Sequence, residues 1–472
     1  MRNRKIPLAA AATIGLATFG ASGAHAQQSS AEFNRVQRLI ELQSRTLQEQ
    51  AQSLNALQAR LRQLETEQQR NTQRVDAVVQ QERAAPRAIP ASAPARGSPA
   101  QPVLAGGDKV RVTLSGQVNR MMLMHRDGSG KLNTYFTDND ASSTRLRLLG
   151  AADLSNDLTA SSAIEFDMRS NASGSAGRAN ANNNGGGTPV NGSFRLRRAE
   201  AGLASKEYGA VLFGRGSMFA DGIANIDLSG TSIALYATGS DTYGGMSFAN
   251  KSGPHRRGSD PTMGQVFDAL SGWRDDRVRY DTPTWNGFTA GGSVAQGAAW
   301  DIGLRYAGKL DGVQVAGGIA YMNLNGQQPR NNPLDGSNPY WARWSEKASG
   351  SLSVLLPNGL NATVSGGWGK HHDDCCSTTN IATDDAGTWF TKIGYQASIF
   401  DIGKTAFAVQ GGQSFNSYQN GDIASRVGFS VDQPISDKGI ELYAGYEHLT
   451  LHRSGANFDA SDVALIGTRI QF

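Results

Sequence analysis

The sequence predicts an all-β fold, a 16-stranded antiparallel transmembrane β-barrel preceded by a periplasmic α-helical coiled coil. Three observations carry this expectation. From Val110 to Phe472, apolar and polar residues alternate with period two in sixteen segments, as in strands with one apolar face. The connections between those segments alternate between short turns and mostly long polar stretches. After the N-terminus no uninterrupted apolar run approaches the ~20 residues a spanning helix needs, whereas a barrel strand needs only ~9–11 alternating ones.

The elements follow in order. MRNRK is cationic, IPLAAAATIGLATFG is apolar, and ASGAHA ends in the small-x-small site Ala24-His25-Ala26. Together they read as a secretory signal peptide over residues 1–26. Residues 27–83 follow as a periplasmic coiled coil. From Phe33 to Val78 the a positions are Phe33, Ile40, Leu47, Leu54, Leu61, Gln68 and Val75. The d positions are Val36, Gln43, Gln50, Leu57, Leu64, Asn71 and Val78, and ten of the fourteen are apolar. An a/d stripe over seven heptads without Pro or Gly favours a coiled coil over a helix on a globular core. The heptads alone leave two, three or four chains open. Residues 84–107 are a Pro/Ala-rich linker, with five of the chain's fifteen prolines between 84 and 102.

The barrel is expected over residues 108–472. Its strands are predicted near 110–125, 143–154, 158–169, 194–204, 209–217, 276–283, 286–296, 300–309, 312–323, 343–356, 359–370, 388–398, 404–416, 422–432, 438–450 and 462–472. Turns such as SND after Leu154 and PN at 357–358 are short, whereas the stretch 218–275 is 58 residues long. Segregated loops and an even strand count fit an outer-membrane barrel better than a soluble sandwich. Sixteen strands leave a water-filled interior. The stretch VALIGTRIQF ends on a bulky aromatic. Ala464, Ile466, Thr468, Ile470 and Phe472 form the face predicted to meet lipid, and the last strand is expected to close against the first.

Charge excludes one class of partner. The whole chain has 45 basic and 41 acidic residues, but the first 106 hold 13 and 7 of them, which leaves 32 and 34 for residues 107–472. A near-neutral barrel implies no nucleic-acid surface. The only cysteines, Cys375 and Cys376, are adjacent, so no disulfide framework holds the fold.

VTLSGQVNR at 112–120, STRLRLLG at 143–150, RRAEAGL at 197–203, GAVLFGR at 209–215 and VRYDTPTWNGF at 278–288 carry a resemblance, together with the C-terminal Phe472. They resemble the general porins of Gram-negative bacteria, in the wording of the proteobacterial branch. The N-terminal coiled coil is similar to that of trimeric porins associated with dicarboxylate uptake. The resemblance implies a homotrimer in the cell outer membrane, in contact with lipid and lipopolysaccharide, whose third loop, about 218–275, folds into each pore. By motif, Arg145, Arg215 and Arg279 match the family's wall arginines. Period two adds Arg147 beside Arg145, Arg277 beside Arg279, and Arg198, because their outward neighbours are apolar. With Arg198 and Glu200 turned inward, Leu196 is out of phase. Asp221, Asp227 and Asp241 are the loop carboxylates available as counter-charges, and the acidic turn of the best-known porins is missing. A guanidinium stays charged on a wet wall, and a ring of one sign selects against like-charged solutes. The alternative role for these arginines is to pair with Glu165 and Asp167 and stabilise the wall.

HHDDCC at 371–376 contains only metal-ligand residue types, but consecutive residues point apart, so it reads as a loop tip or a vicinal disulfide rather than a metal site. No G-x-S-x-G, H-E-x-x-H or Gly-rich phosphate loop appears, and neither an enzyme nor a cofactor is expected. The reading is a porin for passive diffusion of small hydrophilic solutes, mildly preferring small anions. The alternatives are a selective channel for small (di)carboxylates, or an envelope tether that holds peptidoglycan through the N-terminal region.

Overall fold

Alternation with period two generates the observed strands. The computed structural model describes residues 103–106, 110–128, 132–177, 193–251, 260–268, 271–324, 344–371, 384–435 and 438–472. The expected signal peptide, the coiled coil, the linker up to residue 102 and all of HHDDCC after His371 lie outside the described residues.

The strands are β1 (Val103–Gly106), β2 (Val110–Arg126), β3 (Leu132–Asp138), β4 (Arg145–Asp153), β5 (Leu158–Arg169), β6 (Ser193–Ser205), β7 (Gly209–Ser217), β8 (Arg274–Asp281), β9 (Phe288–Ala295) and β10 (Trp300–Leu310). They continue as β11 (Val313–Asn323), β12 (Trp344–Leu355), β13 (Leu360–His371), β14 (Ala386–Phe400), β15 (Gly403–Phe415), β16 (Ile423–Ile435), β17 (Ile440–Arg453), β18 (Ala456–Asn457) and β19 (Ser461–Gln471). Each barrel strand pairs antiparallel with its sequence neighbours, and β19 returns to pair with β2, so the sheet closes. β3 and β4 pair with the upper and lower halves of β2 and together make one barrel strand. With β1 and β18 as short additions, the closed wall has sixteen strands. No helix among the described residues is long and apolar enough to cross a membrane.

The second barrel strand corrects the sequence reading. It was expected over 143–154, with a loop above it, but LNTYFTD at 132–138 is also strand and the connection from β2 is short. The wall breaks at 139–144, where the side chain of Asn139 caps a single helical turn over Asp140–Ser142. This interruption removes the periodicity that would have joined the two halves.

Faces are clear along β14. Trp389, Ile393 and Tyr395 are exposed outward, while Phe390, Lys392 and Gln396 are buried inside. An apolar outer face suits hydrocarbon, and the paired backbone leaves no edge in lipid. At the seam, Phe472 N–H donates to Gly116 O (3.0 Å) and Gly116 N–H donates to Phe472 O (2.7 Å). The Phe472 ring lies over Gly116, where a Cβ would fall 2.7 Å from ring carbons. β1 then takes up the same edge of β2 beyond Phe472, with Val103 opposite Thr113.

One part of the inner face departs from the rule of polar lining. Met121, Leu123, Leu449, Leu451, Val463 and Leu465 point inward and are buried. Exposed to lumen water they would be costly, at about 1.5–3 kcal/mol for each large side chain. Ile233, Leu235, Tyr243, Met246 and Phe248, from the long connection between β7 and β8, cover them in one apolar cluster. That connection, loop 3, therefore packs on the inner wall.

Candidate functional site

Loop 3 leaves β7 through a socket. The Phe219 ring is fully buried over Gly291 and Gly303, where a Cβ would fall 2.4 Å and 2.9 Å from it. The guanidiniums of Arg279 and Arg305 lie 5.1 and 5.3 Å from the ring centroid, within cation–π range. Arg305 also donates to Phe219 O (2.7 Å) and Asp221 O (2.8 Å). From here the loop follows the inner wall. Ser351 donates to Ile223 O, Gln396 to Leu228 O (2.7 Å), Arg426 to Tyr236 O (3.2 Å) and Ala237 O, and Tyr243 to Glu447.

On β4 to β8 the lumen is lined by guanidiniums. Glu165 accepts from Arg147 Nε (2.7 Å) and Arg197 Nε (2.7 Å), with Arg145 3.7 Å away. Asp167 pairs with Arg169 (2.9 Å) and Arg195 (2.8 Å), and Arg169 also reaches Asp140 (3.0 Å). Glu200 holds both Arg198 and Arg277. In these networks seven guanidiniums share four carboxylates. These networks are therefore charge-asymmetric and net positive.

The sequence-predicted arginines fall into two groups. Arg145, Arg147 and Arg198 reach the lumen, and the side chains of Arg147 and Arg198 are 31% and 29% exposed. Arg277 and Arg279 are only 1% and 3% exposed. Arg277 donates to Ser217 O (3.1 Å), and Arg279 donates to Ser217 O and Met218 O while forking onto Asp281. Arg215 donates to Leu196 O (3.2 Å) and lies 3.8 Å from Asp276. These three sit at the root of loop 3.

The loop carboxylates also separate. Asp221 faces the arginine wall, accepting from Ser217 Oγ (2.7 Å) and pairing with Arg274 (3.0 Å). Asp241 accepts from the Tyr236 hydroxyl, and its backbone carbonyl takes the Ser173 hydroxyl (2.7 Å). Burial pushes the Asp241 carboxyl above its ordinary range, against the pull of Tyr236 and Arg169. Asp227 lies against β13 and β14, accepting from Lys392 Nζ (2.8 Å) and Thr363 Oγ1 (3.0 Å). Burial opposes its charge, but Lys392 and the hydrogen bonds from Ser229 together hold it below the ordinary range.

Sequence reasoning missed Arg195 and Arg197. The out-of-phase Leu196 was the signal. Glu165 pairs with Arg198 and Phe166 with Leu196, so a β-bulge adds one residue at Arg197 and brings Arg195, Arg197 and Arg198 inward together. Arg274, Arg305, Lys347, Lys392 and Arg426 were also missed, although Lys392 and Arg426 occupy inward positions of clean alternating strands.

A family model for Gram-negative porins matches residues 84–453. No curated protein sequence matches the chain. Among solved structures, an anion-selective porin from Comamonas acidovorans is 17% identical, covering 77% of this chain and 100% of its own, with a TM-score of 0.48. The outer membrane channel DcaP of Acinetobacter baumannii is 13% identical, over 78% of this chain and 99% of its own, with a TM-score of 0.45. OmpF of Salmonella typhi in complex with daunomycin is 14% identical, over 78% and 99%, with a TM-score of 0.46.

Proposed function

The chain belongs to the Gram-negative porin family of outer-membrane channels, and from that premise we propose that it passes small hydrophilic solutes by passive diffusion with a mild preference for anions. One observation carries the preference, namely the seven guanidiniums on β4 to β8 that share four carboxylates. Excess fixed positive charge beside a narrow water path raises the local concentration of anions and repels cations. Arg145, Arg147 and Arg198 act on passing solutes, with Asp221 and Asp241 opposite them on loop 3. Arg215, Arg277 and Arg279 support the loop root, and Asp227 belongs to the opposite wall.

The organisation proposed with this function is a signal peptide at 1–26, a periplasmic coiled coil at 27–83, a linker at 84–107 and the barrel at 108–472. The seven-heptad stripe, together with the family resemblance, supports a homotrimer. Lipid and lipopolysaccharide surround the barrels, and peptidoglycan is the proposed partner of the N-terminal region. The test is single-channel current in a planar bilayer under a salt gradient, with succinate added afterwards. Steps closing in threes with an anion-biased reversal potential support the reading. A cation-biased potential refutes the preference, and saturable block by succinate replaces simple diffusion with a carboxylate-selective channel.

A further inference from the structure

Two groups of interior cations differ in what they hold. Those on β4 to β6 hold carboxylates beside the water path. On β8, β10, β12, β14 and β16, five others donate to backbone carbonyls of loop 3 or of its root at the end of β7. They are Arg279 to Ser217 and Met218, Arg305 to Phe219 and Asp221, Lys347 to Ser271, Lys392 to Leu235, and Arg426 to Tyr236 and Ala237. Every second strand around half of the wall thus carries a cation that holds this loop, and Arg279, Lys347, Lys392 and Arg426 among them are buried.

Lys392 is the most enclosed of them, with a side chain 0% exposed. Its ammonium donates to Asp227 Oδ2 (2.8 Å), Thr231 Oγ1 (3.2 Å) and Leu235 O (2.6 Å), which accounts for its three hydrogens. Asp227 in turn accepts from Thr363 Oγ1 and from the N–H (2.7 Å) and hydroxyl (2.9 Å) of Ser229. Four residues further along β14 and on the same face, Gln396 donates to Leu228 O (2.7 Å) and Ser229 O (3.0 Å). A charge enclosed this fully, with every donor used, does not meet a passing ion.

We propose that Lys392 and Asp227, with Gln396 beside them, are positioning residues that latch the far limb of loop 3 to the wall, setting the width of the water path without choosing the sign of the ions that pass. This rests on the porin reading for its meaning but not for its geometry. Charge carries the distinction. Lys392→Met removes a positive charge and Asp227→Asn a negative one. If both line the water path, they shift the reversal potential in opposite directions. As a latch, both change conductance and current noise in the same direction and leave the reversal potential at the wild-type value. Gln396→Leu, which changes no charge, gives a weaker version of the same effect.

Hydrogen exchange of the folded full chain, read by mass spectrometry, tests the latch without any current. Exchange over 227–237 is expected to speed up on the order of a hundredfold in Lys392→Met, from loss of a buried pair, and several-fold in Gln396→Leu, from loss of neutral bonds. The barrel strands stay protected in both. Unchanged exchange over 227–237 overturns the latch, as do opposite shifts in reversal potential. A wild-type protein that does not conduct but loses loop protection in these variants defeats the porin reading and leaves the latch standing. Should Lys392→Met fail to fold, Asp227→Asn and Gln396→Leu carry the same comparison.

Discussion

Replacing Glu165 by Gln tests the charge argument directly. Glu165 is itself buried among Arg145, Arg147 and Arg197, but Arg147 is 31% exposed, so the positive charge that Glu165 offsets lies beside the water path. Gln keeps the size and one acceptor but removes one negative charge from the wall, which leaves seven guanidiniums with three carboxylates. At about 5 Å from a passing ion, one unit charge in a water-like medium is worth ~0.8 kcal/mol. Screening at 0.1 M salt, with a Debye length of about 10 Å, reduces this to ~0.5 kcal/mol, or roughly a twofold change in local anion occupancy. Cation occupancy falls by the same factor, so the anion-to-cation permeability ratio should rise about fourfold at 0.1 M salt. At 1 M salt, where the Debye length is about 3 Å, the change should almost vanish. The assay is reversal potential across a tenfold gradient, repeated at both ionic strengths. Loss of the charge-assisted bonds should also lower unfolding stability by about 1–3 kcal/mol. An unchanged or lower ratio at 0.1 M, from a variant that still closes its barrel, would refute the reasoning, because the arginines would then be acting only on each other and on the wall.

Three further outcomes follow from the geometry. Phe219→Ala empties the glycine socket and is expected to cost about 3–5 kcal/mol locally; protease sensitivity near the start of loop 3 should increase while heat-shift electrophoresis still shows a closed barrel. Gly467→Val should destabilise the barrel by about 1–3 kcal/mol, because the Tyr443 ring lies where a Cβ would fall 2.3 Å from it, and chemical denaturation of the folded protein measures this. The loop carboxylates should titrate with opposite signs. Asp241 lies above its ordinary range, so its ionised form costs loop stability and acidification restores it. Asp227 lies below its ordinary range, so its contribution holds at neutral pH and is lost only as pH falls through that depressed value. Lowering the pH should first raise anion preference, an effect that Asp241→Asn reduces, and only later increase current noise.

Much of the wall was legible in the sequence because each strand carries its own evidence, apolar out and polar in. Where that evidence was interrupted, the reading failed. The break at 139–144 hid Leu132–Asp138, and the bulge at Arg197 made Leu196 look misplaced and concealed two arginines. The placement of loop 3 left a fainter trace. In MMLMH at 121–125, Met121 and Leu123 face the lumen and Met122 and Met124 face outward, so the strand is apolar on both sides. An apolar stretch of lumen wall requires a cover, and loop 3 is the cover. Pairings such as Lys392 with Asp227 had no local signature, since the partners lie 165 residues apart and meet only through the closed sheet.

The seam also bears on the order of assembly. Along the same edge of β2, β1 pairs with Arg111 to Thr113 from only a few residues away in sequence, whereas Phe472 binds Gly116 only after the whole barrel sequence has intervened. Short loops close faster than long ones. The β1–β2 hairpin should therefore form early and present a rigid, half-occupied edge on which the last strand can find its register. In a pulse-labelled refolding experiment, the amide of Val112, on the edge that β1 occupies, should then be protected before those of Gly116 and Thr468. Closing such a barrel becomes the extension of a ladder already begun, rather than the meeting of two free ends.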